Sequence, residues 1–154
     1  MKILNTKFNG LKIIGGIKFD DSRGYFREIF LKKLFKKNKF IFWCMSKSKK
    51  NVLRGMHLQT KKSQAKFISV VKGKILDVVI DCRPKSKSFG KHFKTILSEK
   101  NCKSLLIPAG FAHGFLALDK VEMTDCCLSP IPLVLQGLVY CVDALCPLEI
   151  PAVV

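Results

Sequence analysis

One short stretch, Leu53-Arg54-Gly55-Met56-His57-Leu58-Gln59 followed by Gln64-Ala65-Lys66, sets an arginine, a histidine and a lysine at strand-like spacing among apolar residues. These side chains can bind an anion and move a proton. His57 and Gln59 are two apart, so on a strand both face the same way. Arg54 lies three before His57, and a bend at Gly55 would bring the two together. Arginine offers a forked donor suited to a diphosphate. A lysine facing a developing oxyanion lowers its energy. An inward histidine near neutral pKa can take a proton alpha to a carbonyl. Alone, a histidine in an apolar strand is more often a hydrogen-bonded structural residue. The company of Arg54, Lys66 and His113 adds weight to a catalytic role.

His113 lies in Ile107-Pro108-Ala109-Gly110-Phe111-Ala112-His113-Gly114-Phe115. Pro108 and Gly110 turn the chain, and His113 then points from an otherwise apolar strand. Asp81, closing Val78-Val79-Ile80-Asp81, is its expected partner, because a carboxylate bonded to one ring nitrogen fixes the tautomer of the other. No metal is expected. A His-x-His pair would suit one, but the second position is Gln59, and His92 falls on a different strand.

The elements that must carry these groups read as strands. Leu11 to Phe19 is apolar, Asp20-Asp21-Ser22-Arg23-Gly24 is a turn, and Tyr25 to Phe30 alternates. Residues 30–37 fit a short amphipathic helix, with apolar 30, 31, 34 and 35 and lysines between. Phe40 to Met45 is an aromatic strand. Further strands follow at Val52 to Gln59, Lys66 to Val71, Ile75 to Ile80, His92 to Leu97, Ser104 to Ile107 and Ala112 to Leu118. Lys72-Gly73-Lys74 reads as a tight hairpin. Many short strands with turn punctuation predict an all-β sandwich or barrel, such as a jelly roll, in a single domain.

The chain has 154 residues and a net charge of +17, which suits an anionic partner. The lysines are spread rather than clustered. Only Lys32 to Lys39 forms a basic run, so nucleic-acid or membrane binding is disfavoured. The apolar run beginning at Cys126 is broken by Pro130, Pro132 and Gln136 and makes a poor membrane span. The first residues lack a signal-peptide core, and an odd count of 7 cysteines reads as free thiols, so a cytoplasmic protein is expected. All 28 Lys and Arg precede residue 121. Residues 121–154 therefore read either as a buried or partner-covered segment or as a non-native ending, with a frame-shifted or damaged ending favoured.

Taken together, Asp21-Ser22-Arg23-Gly24-Tyr25-Phe26-Arg27-Glu28, the Ser46 to Gln59 segment, Gln64-Ala65-Lys66, Val70-Val71-Lys72-Gly73, Val78 to Arg83 and Ile107 to Phe115 resemble the cupin-fold family of dTDP-4-dehydrorhamnose 3,5-epimerases. The resemblance implies a cupin-type jelly roll (a double-stranded β-helix) working as a homodimer, without metal or other cofactor, on a nucleoside-diphosphate sugar. It implies His57 as the base acting at C3 and C5 of a 4-keto-6-deoxy sugar, with Lys66 and His113 near the enolate and sugar oxygens. Arg54 would bind diphosphate. Gln59 would share the face of His57, and Asp81 would pair with His113. Arg23 and Glu28 would contact substrate, in this family sometimes from the dimer partner.

Three features depart from the family pattern. Phe42-Trp43-Cys44 stands where polar nucleotide contacts are usual. The family's catalytic acid is a tyrosine shortly after the His-Gly-Phe strand, but Val121 to Cys127 contains none, and the only tyrosines are Tyr25 and Tyr140. Family members also usually continue past this length. Asp143-Ala144-Leu145-Cys146-Pro147-Leu148-Glu149-Ile150-Pro151 resembles the family's closing motif, which would make Asp143 the carboxylate that orients His57. The alternatives are a catalytically impaired sugar-nucleotide-binding homologue, or a related 3-epimerase or 3,4-ketoisomerase.

Overall fold

The computed structural model describes residues 1–35, 40, 42–60 and 63–127. Among the described residues twelve strands follow in order: β1 (Lys2–Asn5), β2 (Lys12–Gly15), β3 (Lys18–Asp21), β4 (Gly24–Arg27), β5 (Phe42–Ser48), β6 (Leu53–His57), β7 (Lys66–Lys72), β8 (Lys74–Asp81), β9 (His92–Ser98), β10 (Lys103–Ile107), β11 (Phe111–Ala117) and β12 (Val121–Cys127). They form a six-stranded sheet, β1-β2-β10-β7-β12-β5, a four-stranded sheet, β6-β11-β8-β9, and the separate hairpin β3-β4. The chain passes repeatedly between the two larger sheets, which gives a jelly roll.

Alternation explains the layering. On β7, Ile68 and Val70 are fully buried and join Ile75 and Val79 of β8 and Phe111 and Phe115 of β11 in the core. Phe67, one position before Ile68, faces outward and packs with Ile14, Phe35 and Leu106 in a second apolar cluster. Phe30 supports that outer cluster, stacking on Phe35 at 4.8 Å between ring centroids and meeting Trp43 edge-on at 4.8 Å.

Four expectations change. Lys72-Gly73-Lys74 is not a hairpin, because β7 and β8 lie in different sheets and Gly73 is where the chain crosses between them. Gly73 has φ +84° and lies against the Lys120 carbonyl, which leaves no room for a Cβ. The apolar run from Leu11 to Phe19 is two strands, broken at Gly16 and Ile17. In place of an amphipathic helix at 30–37 there is one turn of 3-10 helix at Lys32–Phe35, with 36 and 37 outside the described residues. Finally, a strand that the sequence did not mark, β12, follows the charge break at residue 120. β12 lies between β7 and β5 inside the larger sheet, with Val121 and Met123 buried in the core.

Candidate functional site

The site is built on the pairing of β6 with β11. His57 lies directly opposite His113, and Arg54 opposite Phe115, so three steps on β6 match two on β11. That bulge turns Arg54 onto the inner face with His57, as the glycine between them suggested. Gly55 carries the bend at φ +110°, and a Cβ on it would come within 2.5 Å of the Gly114 Cα. Two facing glycines thus let the strands approach where the histidines meet.

His113 is buried, and its Nε2–H donates to Asp77 Oδ2 at 2.8 Å. This corrects the expectation of Asp81. On β8, Val79 pairs with His113, so Asp77 and Asp81 both share the inward face and flank the histidine diagonally. Sheet twist makes the two diagonals unequal, and His113 meets Asp77. Asp81 is engaged elsewhere, by Arg83, Ser86 and Ser88, and so it is not free to serve the histidine. Asp77 is the residue that sequence reasoning missed. Period-two parity along β8 made it an equal candidate.

The opposite wall supplies Lys66, 7% exposed at the start of β7. Its inward direction follows from Ile68 and Val70, which continue the same face into the core. His57 has its pKa lowered by burial first, then by the positive charges of Lys66, His113 and Arg54. It is therefore neutral near pH 7 and able to accept a proton. Its Nδ1 is buried and has no hydrogen-bond partner among the described residues. Asp143, expected to orient it, lies outside the described residues.

Arg54 is held in place from the β5 side. Its Nε donates to Ser48 Oγ at 2.9 Å and its Nη2 to the Lys47 carbonyl at 3.1 Å. Gln59 is buried just beyond the end of β6 rather than within the strand. Gln64, next to it in burial, keeps its Nε2 without a hydrogen-bond partner among the described residues.

Arg23 and Glu28 are not gathered with these groups. Arg23 is at the tip of the β3-β4 hairpin, its side chain 88% exposed and paired with Asp21 at 2.7 Å. Glu28 follows β4, half-buried. Among the described residues no group of three or more His, Cys, Asp or Glu could hold a metal ion. No described helix is long and apolar enough to cross a membrane.

A neutral inward histidine, a second histidine polarised by a buried carboxylate, and a buried lysine facing them suit removal of a proton next to a carbonyl. The family model for dTDP-4-dehydrorhamnose 3,5-epimerase matches residues 5–129. The chain belongs to that family. The epimerase of Methanothermobacter thermautotrophicus is 40% identical over 76% of this chain and 65% of its own length. That of Escherichia coli is 39% identical over 79% of this chain and 69% of its own. The chain thus spans about two thirds of these relatives, and 40% of the Neisseria gonorrhoeae one. Among solved structures, the Legionella pneumophila epimerase, crystallised with dTDP-4-keto-L-rhamnose, superposes with a TM-score of 0.80 at 36% identity, covering 85% of this chain and 73% of that one. The epimerase of Sulfolobus tokodaii gives 0.78 at 39% identity, covering 85% and 76%.

These epimerases share the two-sheet fold, so the jelly roll here is of the cupin type. The family match continues through β12 to residue 129. It therefore includes the strand on which no tyrosine occurs.

Proposed function

We propose that the chain is a dTDP-4-dehydrorhamnose 3,5-epimerase of deoxysugar and surface-polysaccharide biosynthesis. It would abstract protons alpha to the C4 ketone of a 4-keto-6-deoxy sugar nucleotide. The observation that carries the reading is the directly opposed pair His57 and His113, with His57 held neutral and Lys66 facing it. His57 takes the C3 or C5 proton, and the electron pair moves toward the C4 oxygen. Lys66 and the Asp77-polarised His113 stabilise that oxygen as it gains charge. Arg54, fixed by Ser48, binds the diphosphate, and Gln59 lines the same end. Asp143 is the residue proposed as the carboxylate that orients His57.

The working form proposed is a homodimer. Among the described residues the β3-β4 hairpin pairs only with itself, and it exposes Phe19 at 57%, Tyr25 at 51% and Phe26 at 66%. A second copy covering that surface would receive Arg23 and Glu28 at its own site. Cys44, Cys82 and Cys102 are free thiols, which supports a reducing cytoplasmic setting.

Incubation of the substrate in heavy water tests the reading. Deuterium is expected at C3 and C5 by NMR, and His57→Asn should abolish it. Substrate that stays free of deuterium in the presence of folded protein overturns the role of His57. Binding of thymidine diphosphate without exchange would instead favour the non-catalytic homologue, for which the missing tyrosine speaks.

A further inference from the structure

We propose that Arg27 is a positioning residue for the substrate: it holds the β3-β4 hairpin on the outer face of the six-stranded sheet and so sets where Glu28 stands. The proposal rests on the reading above, in which the hairpin serves the site of a second copy, and deepens it.

The hairpin needs such a hold, because among the described residues its strands pair only with each other. Lys18 pairs with Asp20 and Arg23 with Asp21, and the Lys18 ammonium lies over the Tyr25 ring. All three contacts stay inside the hairpin. Arg27 is the hairpin side chain that hydrogen-bonds to the sandwich. Its Nη1 donates to the Val70 carbonyl at 3.0 Å and its Nη2 to Ser69 Oγ at 3.1 Å.

The register of β7 makes those acceptors. β10 pairs with β7 only as far as Ser69. On the other edge Met123 pairs with Val70 but Glu122 with Lys72, so Val71 is an extra residue. Val70 thus lies where the ladders are interrupted, and the arginine satisfies its carbonyl. Ser69 lies between the core residues Ile68 and Val70, so its side chain faces outward. Its hydroxyl is bonded to Ser104 Oγ at 2.9 Å, and both serines are buried. On a face that elsewhere carries Phe67 and Leu106, this polar spot gives the planar guanidinium a defined seat.

Alternation then decides what the hairpin presents. With Arg27 turned to the sheet, Phe26 and Glu28, on either side of it in the chain, take the opposite face. The Glu28 carbonyl lies beside Gly16, whose N–H donates to the Cys102 carbonyl at 2.9 Å. The hairpin is therefore fixed at its root and at Arg27, and Glu28 sits at that fixed end. Stability alone does not account for an arginine here. Its Nε is buried without a hydrogen-bond partner among the described residues, a cost that an apolar side chain would avoid.

The test measures thymidine diphosphate binding by calorimetry, with KM and kcat for epimerisation, in the wild type, Arg27→Met, Glu28→Gln and the double variant. Arg27→Met keeps an apolar stem and removes the donors. It is expected to weaken nucleotide binding and raise KM about 10-fold, with kcat changed by less than about twofold. Arg27→Lys, which restores a donor, should recover part of the loss. In the Glu28→Gln background Arg27→Met should cost little more, because Arg27 acts through Glu28. Equal fold losses with and without Glu28→Gln would show that Arg27 acts independently, and they overturn the proposal. So does a variant that loses active fraction while Kd and KM stay unchanged, which is what a purely structural role gives. Ser69→Ala, which removes the acceptor of Nη2, is read in the same way should Arg27→Met not fold. Wild-type protein that neither binds thymidine diphosphate nor turns over substrate overturns the epimerase reading itself, and the proposal with it.

Discussion

Asp77 and Asp81 are four residues apart on the same face of β8, and both side chains are fully buried, yet their surroundings differ sharply. Asp81 is fully bonded. Its Oδ1 accepts from the Arg83 backbone N–H at 3.1 Å and from Arg83 Nε at 2.8 Å. Its Oδ2 accepts from Arg83 Nη2 at 2.7 Å and from the Ser86 and Ser88 hydroxyls at 2.6 Å each. Asp77 has His113 at 2.8 Å on one oxygen, and its Oδ1 is buried without a hydrogen-bond partner among the described residues. A carboxylate surrounded by local donors fastens a turn. One whose hydrogen bond goes to a single histidine leaves most of its charge to act on that ring.

The largest effect expected is on Asp77. Asp77→Asn removes the charge behind His113 and should slow epimerisation by about 1000-fold. Its stability should change by about 1 kcal/mol or less, since the amide keeps the shape. Product NMR and urea unfolding on one preparation check both. A variant that unfolds early but keeps full activity per folded molecule would erase the distinction between the two aspartates.

Asp81→Asn should do the reverse. Breaking a buried, well-bonded ion pair costs about 3 kcal/mol, and catalysis by the remaining folded protein should hold. Burial pushes the Asp81 carboxyl up, but hydrogen bonds from Arg83, Ser86 and Ser88 outweigh it and hold the pKa well below the ordinary carboxylate range. The folded pKa is depressed, so this stabilisation is present above the unfolded value of about 3.9 and is lost as pH falls through the folded one. The stability gap between wild type and Asp81→Asn should therefore narrow below about pH 3.9, as measured by denaturation at stepped pH.

A smaller loss should follow at the bend that assembles the site. Gly55→Ala would put a Cβ 2.7 Å from the His113 carbonyl at φ +110°, costing about 2 kcal/mol. Because Gly55 sets the bulge that aligns Arg54 with His57, activity should fall more than that stability loss alone explains. Thermal unfolding and kcat, compared with Asp81→Asn, distinguish the two.

Much of this was legible in the chain before its fold. Alternation marked β7, β8, β9 and β11, because one inward face had to be apolar. Gly55 between Arg54 and His57 announced the bend, since a charged pair three apart on a regular strand faces opposite ways. The choice between Asp77 and Asp81 was not legible. Both satisfy the same parity, and only sheet twist and the Arg83-Ser86-Ser88 turn separate them. β12 was missed because its inward residues, Val121, Met123 and Asp125, mix apolar and acidic types and follow an abrupt loss of lysines. Its place between β7 and β5 depends on pairing with strands about fifty and eighty residues away, as in Asp125 with Ile68 and Cys44, and sequence periodicity carries no such information. Similarly, Gly73 looked like a hairpin turn because local residues do not say which sheet the next strand will join.

The smallest effect expected concerns the histidine that Asp77 does not serve. Burial, then the charges of Lys66, His113 and Arg54, lower the pKa of His57 from 6.5. A lowered histidine binds more protons unfolded than folded, so its contribution to stability also fades as pH falls below that value. For catalysis, the base form persists at pH values where a free histidine would already be charged, so the acid limb of kcat/KM should lie below 6.5. Lys66→Met keeps the apolar stem and removes the charge. It should lower kcat through the oxyanion, and separately it should move the acid limb upward, toward the value of a free histidine. Asp77→Asn should move the limb less, because its partner is His113. An acid limb that stays fixed in Lys66→Met would mean that Lys66 does not face His57 in the working enzyme, and the opposed-wall geometry would have to be redrawn.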